Sequence, residues 1–214
     1  APDVTVQEME NEIILYLTNT NSISNNFEEG YTAIDPGIPK ELPDGSLLSE
    51  LDRSYVFEGY QIYQLADDAV SPSDLGDIEK ARLIYQCDVA NDIDQVVNYR
   101  YDEVMEASVP MLMANGANEG IQHSFRVNKD AFAQGDNALV NHKTYYFMAL
   151  AYGYNSYREF APVLGPGQDI QYTSSRKAAV GSIRVYSGTP PKPTPESGGL
   201  PPAAAHRYGG TPPP

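Results

Sequence analysis

The sequence predicts an all-β protein built as a β-sandwich, and three observations predict it. Apolar residues alternate with polar ones over about seven short segments instead of recurring at helical spacing. Clusters of Gly, Pro, Asn and Asp separate those segments, as turns require. The aromatic residues are mostly tyrosine, with 16 Tyr, 6 Phe and no Trp. A large ring with a polar tip suits a half-buried strand.

The pattern is clearest at Leu139–Tyr154, LVNHKTYYFMALAYGY, where a leucine precedes a tyrosine by six residues. Tyr145, Phe147, Ala149 and Ala151 then alternate along one face and are expected to point into the core. The other face, Tyr146, Met148, Leu150 and Tyr152, is also largely apolar. A solvated sheet has no use for that, so this second face is expected to be covered by the chain's own insertions or by a partner. These four residues are therefore interface candidates.

Taken in order, Val4 and Val6 and then Ile13, Leu15 and Leu17 predict two strands with a short polar connection at Glu8–Glu12. Asn19–Asn26 reads as a loop, and Gly30–Asp52, rich in Pro and Gly, as a long irregular insertion. Tyr55–Leu65 is a strong strand; Tyr60 and Ile62 share one face, and Phe57, Tyr63 and Leu65 the other. Ser71, Pro72 and Asp74 spell a short helix start: N-cap, proline at the first position, acid in the first turn. Arg82–Val89 returns to strand chemistry, whereas Asn91–Met105 carries no assignable period. Pro110–Gly120 holds turn signals, Ile121–Val127 alternates as a strand, and Val180–Tyr186 reads as the last strand. Residues 1–188 thus form one domain, and residues 189–214 a proline-rich tail that favours extended polyproline II structure.

Composition narrows the functional classes. A formal net charge of −15 over 214 residues argues against nucleic acid and against an anionic membrane surface, which both need clustered Lys and Arg. No apolar run is long enough to insert in a bilayer. The single cysteine, Cys87, excludes an internal disulfide framework, and its acidic neighbourhood reads as a buried structural thiol. The chain begins at Ala1, without a signal peptide, and is expected to be a processed chain or a piece of a longer one.

With the strands laid out, Leu139, Tyr145, Phe147, Ala149 and Ala151 resemble strand F of a fibronectin type III domain, an immunoglobulin-like sandwich. Gly59–Gln64 (GYQIYQ) is similar to strand C. The resemblance makes Val4–Leu17 strands A and B, Ile121–Val127 strand E, and Val180–Tyr186 strand G. The chain departs from the family in its length, with long insertions, and in lacking the tryptophan usual on strand B. The style of Tyr55–Tyr186 also resembles modules of large secreted Bacteroidota proteins that carry type IX secretion sorting tails. That resemblance implies a secreted, cell-surface location and brings no catalytic residue with it.

Candidate chemistry is sparse. There is no Gly-rich phosphate loop, no G-x-S-x-G and no H-E-x-x-H. His123 and His142 would make an acid/base or metal pair only if they converged with an acid; ordinary strand and turn histidines is the plainer reading. Asn91, Asp92 and Asp94 faintly follow a calcium-loop spacing, which makes Asp92 and Asp94 candidate calcium ligands, but the loop's glycine and closing glutamate are missing. Asp67, Asp68, Asp74 and Asp77 offer oxygens too, and a solvated acidic face accounts for both groups. Tyr152, Tyr154, Tyr157 and Tyr172 could form a sugar platform, with cross-strand packing and interface area as the plainer reading.

The resulting expectation is a non-catalytic structural or adhesive module of a bacterial extracellular assembly. It needs no cofactor, with calcium as the one candidate. It would contact other copies of itself or neighbouring domains through edge strands, tyrosines and the tail, where Pro190, Pro191, Pro193 and Pro195 are interface candidates. The alternative is a carbohydrate-binding or spacer module of a secreted hydrolase.

Overall fold

The computed structural model describes residues 1–160 and 167–193. The protein is all-β, built from antiparallel sheets. Strands β1 (Asp3–Met9) and β2 (Glu12–Thr18) form a hairpin whose turn uses Asn11 in the left-handed region, φ 54°. Strand β8 (Ser124–Val127) pairs with β2 and completes a three-stranded sheet, β1-β2-β8.

The larger sheet is centred on β4 (Ser54–Leu65) and β9 (Tyr145–Tyr154), which pair along almost their whole length. Strands β3 (Thr32–Ile34) and β5 (Ala81–Asp88) pair with β4. Strands β10 (Tyr172–Ser174) and β11 (Tyr186–Gly188) pair with β9. A separate two-stranded ribbon consists of β6 (Gln95–Asp102) and β7 (Ala107–Asn115).

The main core lies between the two larger sheets. Ile13, Leu15, Leu17, Phe125 and Val127 come from one side, and Tyr60, Ile62, Tyr145, Phe147, Ala149 and Ala151 from the other, as the alternation predicts. Leu139 is buried in the same cluster, and the Val140 amide donates to the Tyr145 hydroxyl (2.8 Å). That bond fixes the corner through which the chain enters β9. The two sheets also meet at Gly188 of β11, where a Cβ would lie 2.9 Å from Val6 and 3.0 Å from Ile13.

The structure corrects the sequence reading at five places. Phe57 shares the core face with Tyr60 and Ile62, because the β4–β9 register shifts between Phe57 and Gly59 and the bulge turns the face over. Asn91–Met105, which carries no assignable period, contains β6. Pro110 lies inside β7, because the Tyr99 amide opposite points away to the Asp169 carbonyl (2.7 Å) and the pair has its amide positions on the outer edges. The Gly30–Asp52 insertion is irregular except for β3. Val180–Tyr186 is strand only at Tyr186; Gly181 at φ 80° bends the chain and lets Ile183 turn into a second core.

That second core settles what covers the far face of β9. Met148 and Leu150 pack with Leu65, Val70, Ala81 and Ile183, with Tyr146 half-buried beside them. Tyr152 joins Val96, Ala114 and Tyr172 in a third cluster at the ribbon's base. The cover is the chain's own insertions, so Met148, Leu150 and Tyr152, which are buried, are corrected from interface candidates to core residues. The Ser71–Asp74 start is a single 3-10 turn, Pro72–Asp74, in which the Asp74 carboxylate accepts from the Ser71 amide (3.0 Å) and from Lys80 (2.6 Å). It closes one edge of the second core through Val70 and Leu75.

Candidate functional site

Two features remain once the packing is accounted for: the β6–β7 ribbon, with its exposed tip, and a groove. The ribbon's base is anchored. Gln61 Nε2 donates to the Met113 carbonyl (2.9 Å), Val96 and Ala114 are buried, and the Asp88 carboxylate accepts from the Ala117 and Asn118 amides (3.1 Å each). The far end is different. Its loop, residues 103–106, is ordered by the Asp102 carboxylate, which accepts from the Val104 amide (2.8 Å) and the Met105 amide (2.9 Å). Glu106 completes the turn at φ 49°. The turn holds Val104 95% exposed and Met105 68% exposed. Tyr101 and Leu112 are exposed along one ribbon face, where the register pairs them with Ser108 and Val97. An ordered turn that displays apolar side chains to water is unusual enough to mark a contact surface.

Beneath the ribbon base lies a buried carboxylate. Glu58 sits on the β4 bulge with no exposure; its Oε2 accepts from Asn91 Nδ2 (2.9 Å), and its Oε1 has no partner among the described residues. Burial pushes its carboxyl up to about 7; the Asn91 bond opposes the shift and nearby Asp88 adds to it. Sequence alternation could not single out Glu58, because only the bulge turns it inward.

The groove, about 860 Å³, lies at the end of the larger sheet where β3, β4, β9 and β10 run side by side. The pairings Ala33↔Tyr55, Phe57↔Gly153 and Gly153↔Thr173 carry it across all four strands. Tyr31 lies over Gly153, where a Cβ would come within 3.1 Å of its ring. The rim carries Ser174, Ser175, Arg176 and Lys177. The Ala1 amine donates to the Lys177 carbonyl (2.8 Å), and burial lowers its pKa to about 6, against the pull of Asp3. Positive charge at neutral pH therefore rests on Arg176 and Lys177.

The other sequence candidates fall as follows. His123 meets Glu29 (Nε2···Oε1, 2.6 Å), whose same oxygen accepts from the Tyr60 hydroxyl (2.8 Å). His142 lies in the turn before β9, where its amide donates to the Pro190 carbonyl (2.8 Å). The two histidines thus have separate partners and form no joint site. Cys87 is buried, and burial raises its thiol pKa, opposite to what a nucleophile needs. Asp92 and Asp94 are exposed while Asn91 is engaged with Glu58, and the described residues hold no group of three or more His, Cys, Asp or Glu placed for a metal ion. Tyr152 and Tyr172 are buried and stacked on each other at 5.4 Å, so an exposed four-tyrosine platform does not form. Pro190 is buried, Pro191 and Pro193 are exposed, and Pro195, with the rest of the expected extended arm, lies outside the described residues.

The sequence reading missed the ribbon tip and the groove. For the tip, the one available signal was Val104-Met105 between acidic residues in a segment without a period. Compared with known proteins, the chain matches no family model, no curated protein and no solved structure.

Proposed function

We propose that the chain is a non-catalytic, fibronectin type III-like module of a bacterial cell-surface or extracellular assembly, and that it works by protein–protein contact through the β6–β7 ribbon. The observation that carries this reading is the apolar tip, Val104 and Met105, held out on a turn that Asp102 organises. Contact there would be by side chains and not by strand addition, because Pro110 blocks the free edge of β7. A net charge of −15 keeps copies apart in solution unless a local apolar surface offsets the repulsion.

The fibronectin type III-like assignment is supported by the partition of strands. Those matched to A, B and E (β1, β2, β8) share one sheet, and those matched to C, F and G (β4, β9, β11) share the other. It is supported also by the Tyr145 hydroxyl, which binds the backbone a few residues upstream as the tyrosine corner of such sandwiches does.

Small-angle scattering over a concentration series tests the function. Wild-type chain is expected to self-associate, and the double variant Val104→Asp/Met105→Asp to stay monomeric at every concentration. A wild-type chain that scatters as a monomer throughout, or a variant that associates equally well, contradicts the proposal.

A further inference from the structure

The groove is unlike the rest of the surface in charge. The chain has 14 Lys and Arg against 29 Asp and Glu, yet two adjacent cations, Arg176 and Lys177, stand on one rim. Neither forms a salt bridge among the described residues, whereas Lys80, Arg126 and Lys143 do. Asp35 is the one carboxylate among the described residues that line the groove. Its Oδ1 accepts from the Gly37 amide (2.8 Å), in a turn of its own.

The lining has three kinds of surface. Tyr31 gives an aromatic face, half-buried and supported from below by Gly153. Ser174 and Ser175 supply hydroxyls; Ser175 Oγ is already fixed by the Ala151 amide (2.9 Å) and carbonyl (2.8 Å), so it is preorganised. Asn26, also in the lining, has a buried Nδ2 without an acceptor among the described residues. A volume of about 860 Å³ is in the range of small-ligand clefts.

We propose that this groove binds a carboxylated sugar, such as a uronic-acid unit of an acidic polysaccharide. The carboxylate would meet Arg176 and Lys177, the ring's C–H face would lie on Tyr31, and the sugar hydroxyls would donate to the remaining lone pair of Ser175 Oγ and exchange hydrogen bonds with Ser174. An acceptor that enters at the Asn25–Asn26 end gives Asn26 Nδ2 the partner it lacks. A neutral sugar leaves the two cations unused, and a purely apolar ligand leaves the polar rim dehydrated and unpaired. The proposal is independent of the ribbon, which lies outside the groove apart from Met113 at its base.

Calorimetric titration of the whole chain with a uronic-acid trisaccharide tests it, with a neutral trisaccharide and a short polyglutamate peptide as comparisons. The uronate is expected to bind, more tightly than either comparison and more weakly as salt is raised. Arg176→Glu/Lys177→Glu replaces two exposed side chains, so the fold survives, and lowers uronate affinity by about tenfold or more while neutral-sugar binding is unchanged. Tyr31→Ala weakens both sugars. Absence of uronate binding overturns the proposal, as does equal affinity in the charge-reversed variant. Tighter binding of polyglutamate than of the sugar also overturns it and assigns the groove to an acidic peptide.

Discussion

The β4–β9 pair and the β6–β7 ribbon are both antiparallel ladders that carry tyrosines and aliphatic side chains, yet they meet opposite fates. In the first, both faces are buried: one against β1-β2-β8, the other beneath the Val70–Ala81 segment and Ile183. In the second, the base is packed and β6 is held at Tyr99 by the Asp169 carbonyl and the Phe160 ring, while Tyr101, Val104, Met105, Met111 and Leu112 face water. Local strand chemistry therefore does not decide which surface is free for a partner. That depends on where the irregular insertions run, and here they are spent on covering β9.

Substitutions can sharpen the contrast. The largest effect is expected at Phe147→Ala, in the fully buried centre of β9: a loss of about 3–5 kcal/mol in denaturant unfolding. Tyr145→Phe removes only the hydroxyl that accepts from the Val140 amide, and should cost about 1–2 kcal/mol by the same measurement. If Tyr145→Phe were neutral, the corner would be set by packing alone.

Glu58 lies where the two ladders meet. Its carboxyl titrates near 7 in the folded chain and at its ordinary lower value when unfolded, so the folded state holds the extra proton between those values. The favourable contribution is complete at acid pH below the unfolded value and is lost as pH rises towards about 7. Glu58→Gln keeps an acceptor for Asn91 and removes the charge. It should flatten this slope and stabilise the chain by about 1 kcal/mol at mildly alkaline pH. An unchanged pH dependence of the unfolding midpoint would show that Glu58 does not carry the slope. The smallest effect is expected at the tip, where Val104→Asp/Met105→Asp should change stability by less than about 0.5 kcal/mol, because both side chains are already in water.

How much was legible in the sequence follows the same divide. The inward face of β9, the β1–β2 hairpin and the Ser71–Asp74 turn could be read because their signals are local: period two, a polar turn, a cap. The face of Phe57 could not, since one extra residue in the β4–β9 register reverses it, and the bulge is stabilised by partners far away in sequence. The cover over Met148 and Leu150 arises from irregular segments with no period to read, such as the bend at Gly181 that inserts Ile183. The ribbon was hidden because Asn91–Met105 has no period and the Asn-Gly and Glu-Gly turn signals coloured the whole of Pro110–Gly120, while Pro110 is tolerated in β7 only because β7 is an edge strand.

Amide hydrogen exchange at low and high protein concentration compares the two ladders most directly. Protection is expected to rise with concentration in residues 103–112 of the ribbon, while residues 146–152 of β9 are strongly protected at both concentrations. Concentration-dependent protection in β9, with the ribbon unchanged, would mean that the partner surface is the face assigned here to the core.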